Sequence, residues 1–312
     1  MTPVAAAPPV LMRGVVRRFR NGRGLGPVDL EVGEGETVAL MGRNGCGKTT
    51  LLRVLATVAR PQAGALSWFG GGAAGARARI GLALDGALED GGLSGRQATA
   101  FWCSQWIGGR DEVARRTDAI LDALGLHEAA DDAVSTYSFG MRRRLALAGA
   151  LVHDPALALL DEPTAGLDPD GSADLGAILQ RRARGGATTV VASNDPAFVE
   201  AAADRVAFLD EGRLLSFAST AELLAGLPTG RVAELELDGQ VDSAVLRAVD
   251  GVTDVSGAGS ALTVTFEGAS TIAALVAAAD APGGRLRELR LRRPGLADCF
   301  RAATGHHLAD DV

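Results

Sequence analysis

The chain opens with short apolar runs broken by glycine-rich polar stretches, the rhythm of strands joined by tight turns. Residues 11–19 and 28–32 read as strands around the turn-rich Asn21-Gly22-Arg23-Gly24. Residues 36–41 form an apolar run the size of a buried strand, and residues 49–55 read as the start of a helix. Residues 65–69 and 80–84 read as further strands, separated by a glycine-rich loop at 70–75. From about 94 to 150 the period lengthens to that of a helix, carried by Phe101, Trp102, Trp106, Ile107, Val113, Ile120, Leu121 and Leu124. Trp102 and Trp106 are four apart and so share a helix face. Packing within this helical segment is the expectation, because aromatic stripes are usually buried; an apolar docking surface is the alternative.

Residues 156–160 are a continuous apolar run ending in Asp161-Glu162, as in a buried strand that stops at two carboxylates. Residues 205–209 and 212–216 read as strands, and 219–225 as a helix. Gly226-Leu227-Pro228-Thr229-Gly230 then punctuates the pattern and predicts a domain boundary. Beyond it the reading is strand (232–237), helix (242–249), strand (252–256), strand (261–266), helix (271–279), strand (286–290) and short helix (295–303). That β-α-β-β-α-β order suggests a small ferredoxin-like unit.

Composition narrows the class. With 312 residues, 47% hydrophobic and 22% charged, the chain is globular and long enough for two domains. A formal net charge of -7 argues against nucleic acid as a partner, with Arg142-Arg143-Arg144 a local exception. The odd set Cys46, Cys103 and Cys299 fits a reducing cytoplasm without a disulfide framework. Residues 1–10 are Ala/Pro-rich and do not read as a signal peptide. No apolar stretch approaches the ~18 residues of a membrane span, so the protein is expected to be soluble or peripheral to something else. His306-His307 reads as a solvated end rather than a metal site, because no further ligands lie nearby in sequence.

Candidate chemistry concentrates in Gly42-Arg43-Asn44-Gly45-Cys46-Gly47-Lys48-Thr49-Thr50, which fits the phosphate-loop pattern G-x-x-x-x-G-K-[ST] between a predicted strand and a predicted helix. Glycines let backbone N–H groups curl around an anionic phosphate, and the helix N-terminus adds partial positive charge. Lys48 can reach the β- and γ-phosphates of a nucleotide, and the Thr49 hydroxyl can ligate Mg²⁺. Asp161, at the end of its strand, is placed as a second Mg²⁺ ligand, and Glu162 as a group that polarises water. Cys46 beside Lys48 at a helix N-terminus predicts a lowered thiol pKa. Phe19 precedes the loop and is placed either to stack on adenine or to pack in the core.

Together these motifs resemble the ATP-binding cassette (ABC) ATPase family. Residues 42–49 look like its phosphate loop, and residues 157–161 with Glu162 like its second nucleotide motif. Ala165-Gly166-Leu167-Asp168 stands where that family has its D-loop, and Tyr137-Ser138-Phe139-Gly140-Met141 looks like its signature, LSGGQ in the commonest form. The resemblance implies an α/β fold: a P-loop cassette at 10–226, with a RecA-like core, an antiparallel β subdomain and a helical subdomain at about 94–150. A small α+β ferredoxin-like accessory domain at 231–312 follows. Residues 293–305 resemble the tail of drug-exporter cassettes of the daunorubicin-resistance type.

The family pattern implies that Gly42, Asn44, Gly45, Gly47, Lys48, Thr49, Thr50 and Phe19 bind ATP on one subunit. It also implies a head-to-tail cassette dimer in which Ser138 and the Gly140 N–H of the other subunit meet the γ-phosphate. Thr49, Asp161 and Asp85 are the implied Mg²⁺ ligands, Asp85 standing where the family has its Q-loop glutamine. Glu162, Lys48 and Asn194 are the implied catalytic residues, Asn194 occupying the switch-histidine position. Asparagine can hydrogen-bond a phosphate but cannot carry a proton near neutral pH, so turnover is expected to be slow. Phe139 replaces the first signature glycine. The expected function is the ATP-hydrolysing subunit of an exporter, cytoplasmic and peripheral on the cytoplasmic membrane face, with an integral membrane permease as partner. The alternatives are a soluble ABC-type regulator and a degenerate cassette paired with an intact one.

Overall fold

Two patterns of hydrophobicity produce two kinds of sheet. β1 (Val10–Arg18), β2 (Gly24–Val32) and β4 (Ala63–Ser67) pair antiparallel in the order β2-β1-β4. Along β2 burial alternates, with Pro27, Asp29 and Glu31 exposed between buried neighbours, as expected of a sheet packed on one face only. By contrast β3 (Thr37–Met41), β6 (Leu157–Asp161) and β7 (Thr188–Ala192) are buried at every residue. They pair in parallel with each other and with β5 (Ile80–Ala83) and β8 (Arg205–Asp210), while β9 (Arg213–Ser219) closes one edge antiparallel; the order is β5-β6-β7-β3-β8-β9. Continuous apolar runs are required because both faces of a parallel sheet are covered. Helix α1 (Lys48–Leu55) fills the space between the two sheets. Its Leu51, Leu52, Val54 and Leu55 share one buried cluster with Met12, Val28, Leu157, Leu159 and Val190.

The structure is a computed structural model and describes residues 7–84, 92–227, 229–239, 241–268, 271–280, 284–306 and 308. Pro228 and His307, read above as punctuation and chain end, lie outside the described residues. The chain divides into two compact units, Met1–Ala221 with Phe300–Val312, and Glu222–Cys299.

After α2 (Ala73–Ala76), the helical stretch resolves into α3 (Gly95–Ser104), α4 (Arg110–Ala123) and α5 (Phe139–Leu151) rather than one periodic run. Glycines explain the breaks. Gly109, at φ 88, caps the start of α4, and Gly125, at φ 65, ends it with Leu126 N–H donating 2.8 Å to Leu121 O. α3 stops at Ser104 with Gln105 as its C-cap, so Trp106 lies beyond its end instead of sharing a face with Trp102. Trp102 packs over Gly149, where even a Cβ would lie 2.6 Å from its ring. Trp106 stays 48% exposed and stacks on His153 at 5.4 Å. The remaining helices of this part, α6 (Pro169–Arg184) and α7 (Pro196–Ala202), are started by Asp168 and Asp195, whose carboxylates accept backbone N–H bonds ahead of a proline. Then α8 (Thr220–Ala225) leads into the second unit.

That unit runs β10 (Arg231–Gly239), α9 (Ser243–Arg247), β11 (Val252–Ala258), β12 (Ala261–Phe266), α10 (Thr271–Ala279), β13 (Gly284–Arg292) and the start of α11 (Leu296–Thr304). The sheet order is β11-β12-β10-β13, with every neighbour antiparallel. One face of β10 puts Ala233, Leu235 and Leu237 into a core with Leu246, Val264, Phe266 and Leu275. At the end of β13, Arg292 forks onto two carboxylates: Nε lies 2.6 Å from Glu234 Oε1, and the terminal nitrogens 2.6 and 3.0 Å from the two oxygens of Asp298. Asp298, 8% exposed, also accepts the Gly295 N–H at 2.9 Å, and these carboxylates hold the Arg292 pKa above its ordinary value. Truncating a buried, multiply bonded carboxylate leaves its partners unpaired. Asp298→Ala is thus expected to destabilise the protein by about 2 kcal/mol, read as a lowered urea midpoint. An unchanged midpoint would show that the fork contributes no net stability.

Candidate functional site

Parallel pairing lines up the exits of three strands. In the order β6-β7-β3, Asp161 is in register with Ala192, and Ala192 with Leu40. The residues just past those ends, Gly42, Glu162 and Asn194, are therefore delivered to one edge of the sheet, the carboxyl edge where open α/β sheets carry their ligands.

The loop at 42–47 can hold its path only with glycine. A Cβ on Gly42 would fall 2.1 Å from the Leu209 carbonyl oxygen, and Gly47, at φ 118, would meet Leu25 Cδ2 at 2.9 Å. The loop leads into α1, whose first residue is Lys48. Lys48 is only 6% exposed, and a buried ammonium needs partners. Its Nζ donates to the carbonyls of Gly42 and Arg43 and, at 3.2 Å, to Asn194 Oδ1, and lies 4.0 Å from Glu162 Oε1. Asn194 Oδ1 also accepts the Gly42 N–H at 3.2 Å, and the Asn194 N–H donates to Glu162 Oε2 at 3.4 Å. Both partners of that oxygen are donors, which settles the amide orientation and leaves the side-chain NH₂ as a donor.

Thr49 Oγ1 donates to Asp161 Oδ2 at 2.8 Å, joining the first turn of α1 to the end of β6. The pair is a hydroxyl and a carboxylate beside a phosphate-type loop. That hard-oxygen set suits Mg²⁺, which takes few protein ligands and completes its shell with phosphate and water. A cavity of about 220 Å³ opens here, lined by Arg43, Asn44, Gly45, Gly47, Lys48, Thr49, Thr50, Asp161 and Glu162. Burial raises the Glu162 pKa, opposed chiefly by Lys48. A carboxylate so placed is a better proton acceptor than one in water.

Other expected site residues fall elsewhere. Phe19 is 40% exposed just past β1 with the Arg17 guanidinium 5.2 Å from its ring, so the core reading of it does not hold. It is not among the residues lining the cavity. Ser138 caps α5, its Oγ accepting the Met141 N–H at 3.2 Å, and Gly140 follows in the first turn; neither lines the cavity. A Cβ on Gly140 would come 2.5 Å from Gly166 O, so signature and D-loop touch through glycine. Asp85 lies outside the described residues. The expected low thiol pKa of Cys46 is reversed: the residue is 2% exposed, and desolvation raises its pKa more than Lys48 lowers it.

The arginine run turns inward. Arg142 donates to Tyr137 O, and Arg144 pairs with Asp168 at 3.1 Å. Arg143, 5% exposed, donates to Glu162 O at 3.0 Å from Nε, to Leu84 O at 3.3 Å from Nη1, and to the Asp161 and Glu162 carbonyls from Nη2. Sequence reasoning took this residue only as part of a basic run. The available signal was its i+5 spacing from the Ser138 cap, which turns it from the exposed signature toward β6.

Comparison with known proteins agrees with this geometry. The family model described as ABC transporter matches residues 25–165. The daunorubicin resistance ATP-binding protein DrrA3 of Streptomyces coeruleorubidus is 32% identical over 302 residues, covering 95% of this chain and 96% of that protein. Among solved structures, cbiO1 from Clostridium perfringens, described as part of the ABC transporter complex cbiONQ, superposes with a TM-score of 0.62 at 26% identity over 70% of this chain and 92% of its own. A dimeric bacterial ABC transporter cassette shares the fold with a TM-score of 0.61 at 22% identity over 67% of this chain and 98% of its own. With the phosphate loop, the Asp161-Glu162 strand end and the signature helix all in place, the chain belongs to the ATP-binding subunits of the ABC transporters, which are ATPases.

Proposed function

We propose that this chain hydrolyses ATP at the cavity around Lys48, in a dimer of cassettes, to drive export through a separate integral membrane permease. The observation that carries the reading is the meeting of Lys48, Glu162 and Asn194 across three strand exits beside the Thr49–Asp161 pair. The loop N–H groups and Lys48 bind the phosphates, helped by Asn44, Gly45 and Thr50, and Phe19 stacks on adenine. Thr49 and Asp161 would hold Mg²⁺, which when bound neutralises phosphate charge. Glu162 takes the proton of the attacking water, and the Asn194 NH₂ donates to the γ-phosphate.

Ser138 and Gly140 lie outside the chain's own cavity, and Ser138 is exposed. That placement supports their meeting the ATP of a second cassette, as does the likeness to a dimeric cassette. No helix among the described residues is long and apolar enough to cross a membrane, which supports a transport path built by another chain. Similarity to a daunorubicin resistance protein favours a hydrophobic drug-like cargo, and cbiO1 sets the precedent of assembly in a transporter complex. We place the protein on the cytoplasmic face of the membrane. The β11-β12-β10-β13 sheet supports the ferredoxin-like accessory domain expected from about residue 231, with residues 300–312 grouping with the first unit.

The purified protein is expected to hydrolyse ATP, and to lose that activity on chelation of divalent cations. Lys48→Ala should lower ATP affinity and abolish turnover, while Glu162→Gln should keep affinity and lower kcat by about 100-fold or more. A Glu162→Gln variant with the parental rate removes Glu162 as the base. At the switch position, Asn194→Ala loses both the acceptor for Lys48 and the donor for phosphate, and should lower kcat at least about tenfold. Asn194→His, which restores one donor, one acceptor and a titratable ring, should turn over at least as fast as the parent. If Asn194→Ala is as active as the parent, the amide has no part in the reaction.

A further inference from the structure

Glu162 is held in an uncommon backbone conformation. Its φ of 43 lies in the left-handed region, unfavourable for a residue with a side chain. Such a conformation persists only where its surroundings over-determine it, and here both of its peptide groups are gripped. On one side the Glu162 N–H donates to Ala192 O of β7 at 2.7 Å. On the other the Glu162 carbonyl accepts from Nε and Nη2 of Arg143, which reaches in from α5. The same guanidinium bonds the Asp161 carbonyl and, through Nη1, the Leu84 carbonyl just past β5. With its backbone fixed this way, the Glu162 carboxylate is carried to Lys48 and to the Asn194 N–H.

We propose that Arg143 is a positioning residue for hydrolysis. It locks the turn at Asp161-Glu162 so that the Glu162 carboxylate faces the water-attack side of the cavity, and it ties that turn to the helix that begins at the signature residue Ser138. Five donors on a rigid plane suit an arginine for bridging several carbonyls at once, which a lysine cannot do. The distance from the Ser138 cap to Arg143 is under two helical turns, so the tie between signature and carboxylate is short and stiff. The inference rests on Glu162 acting as the base.

Arg143→Gln should lower kcat by about tenfold or more while ATP affinity, measured by titration with a fluorescent nucleotide, stays within about twofold of the parent. Arg143→Lys keeps the charge but reaches fewer carbonyls, and its kcat should fall between the two. It carries the test by the same criteria if Arg143→Gln does not fold. Parental kcat in either variant overturns the proposal. So does a loss of kcat matched by an equal loss of nucleotide affinity and a lowered melting temperature, which would make Arg143 merely structural. Glu162→Gln separates the two claims. If it leaves kcat unchanged, the assignment of Glu162 fails; if it abolishes turnover while the Arg143 variants do not, only the role of Arg143 fails.

Discussion

A buried ammonium group organises this protein. Lys48 sits almost without solvent at the start of α1, where an unpaired charge would be prohibitively unfavourable. Its partners come from the phosphate loop, from the exit of β7 through Asn194, and from the exit of β6 through Glu162. Those exits are adjacent only because β6, β7 and β3 pair in parallel and in register. The hydrophobic runs that bury these strands on both faces are thus a precondition of the polar cluster at their ends. The antiparallel sheet contributes at one remove: its inner face and α1 share a single core, which fixes the helix that carries Lys48 and Thr49.

Much of this was legible in the sequence, for identifiable reasons. The phosphate loop is contiguous and needs glycine at fixed offsets, so its steric demands appear directly as residues. The apolar run before Asp161 announced a buried strand, and its acidic end announced the edge of the sheet. The ATP-binding family followed from those stretches together with the signature. Less legible were contacts that depend on side-chain direction. Arg143 was not separated from Arg142 and Arg144: its spacing from the Ser138 cap gives it a different direction, but what lies in that direction depends on packing that the sequence does not display. The Cys46 thiol was misjudged because nearby positive charge is visible in sequence whereas burial is not, and burial dominates. Trp106 was placed on a helix that ends at Ser104, before reaching it.

Asn194 shows how a site keeps its hydrogen bonds while changing its chemistry. A neutral histidine would offer one acceptor and one donor; the asparagine amide also offers both kinds, and its oxygen accepts from both Lys48 and the Gly42 N–H. What it gives up is titration. In the proposed mechanism the basicity is then left to Glu162, whose pKa is raised by its burial beside Lys48. In that mechanism binding and proton transfer are divided between residues on two neighbouring strand exits.

The contact between Gly140 and Gly166 leaves no room for a methyl group, yet neither residue lines the chain's own nucleotide cavity. If the signature of one cassette completes the site of another, as proposed, that separation predicts dominance in genetic terms. A copy altered at Gly140 would retain the machinery for capturing ATP and so could still enter a pair with a normal copy, spoiling the composite site to which it contributes its signature. Loss of Lys48 acts instead on the altered copy's own cavity. Two lesions in one gene would then be inherited differently, for reasons visible in which side of a subunit each glycine or lysine faces.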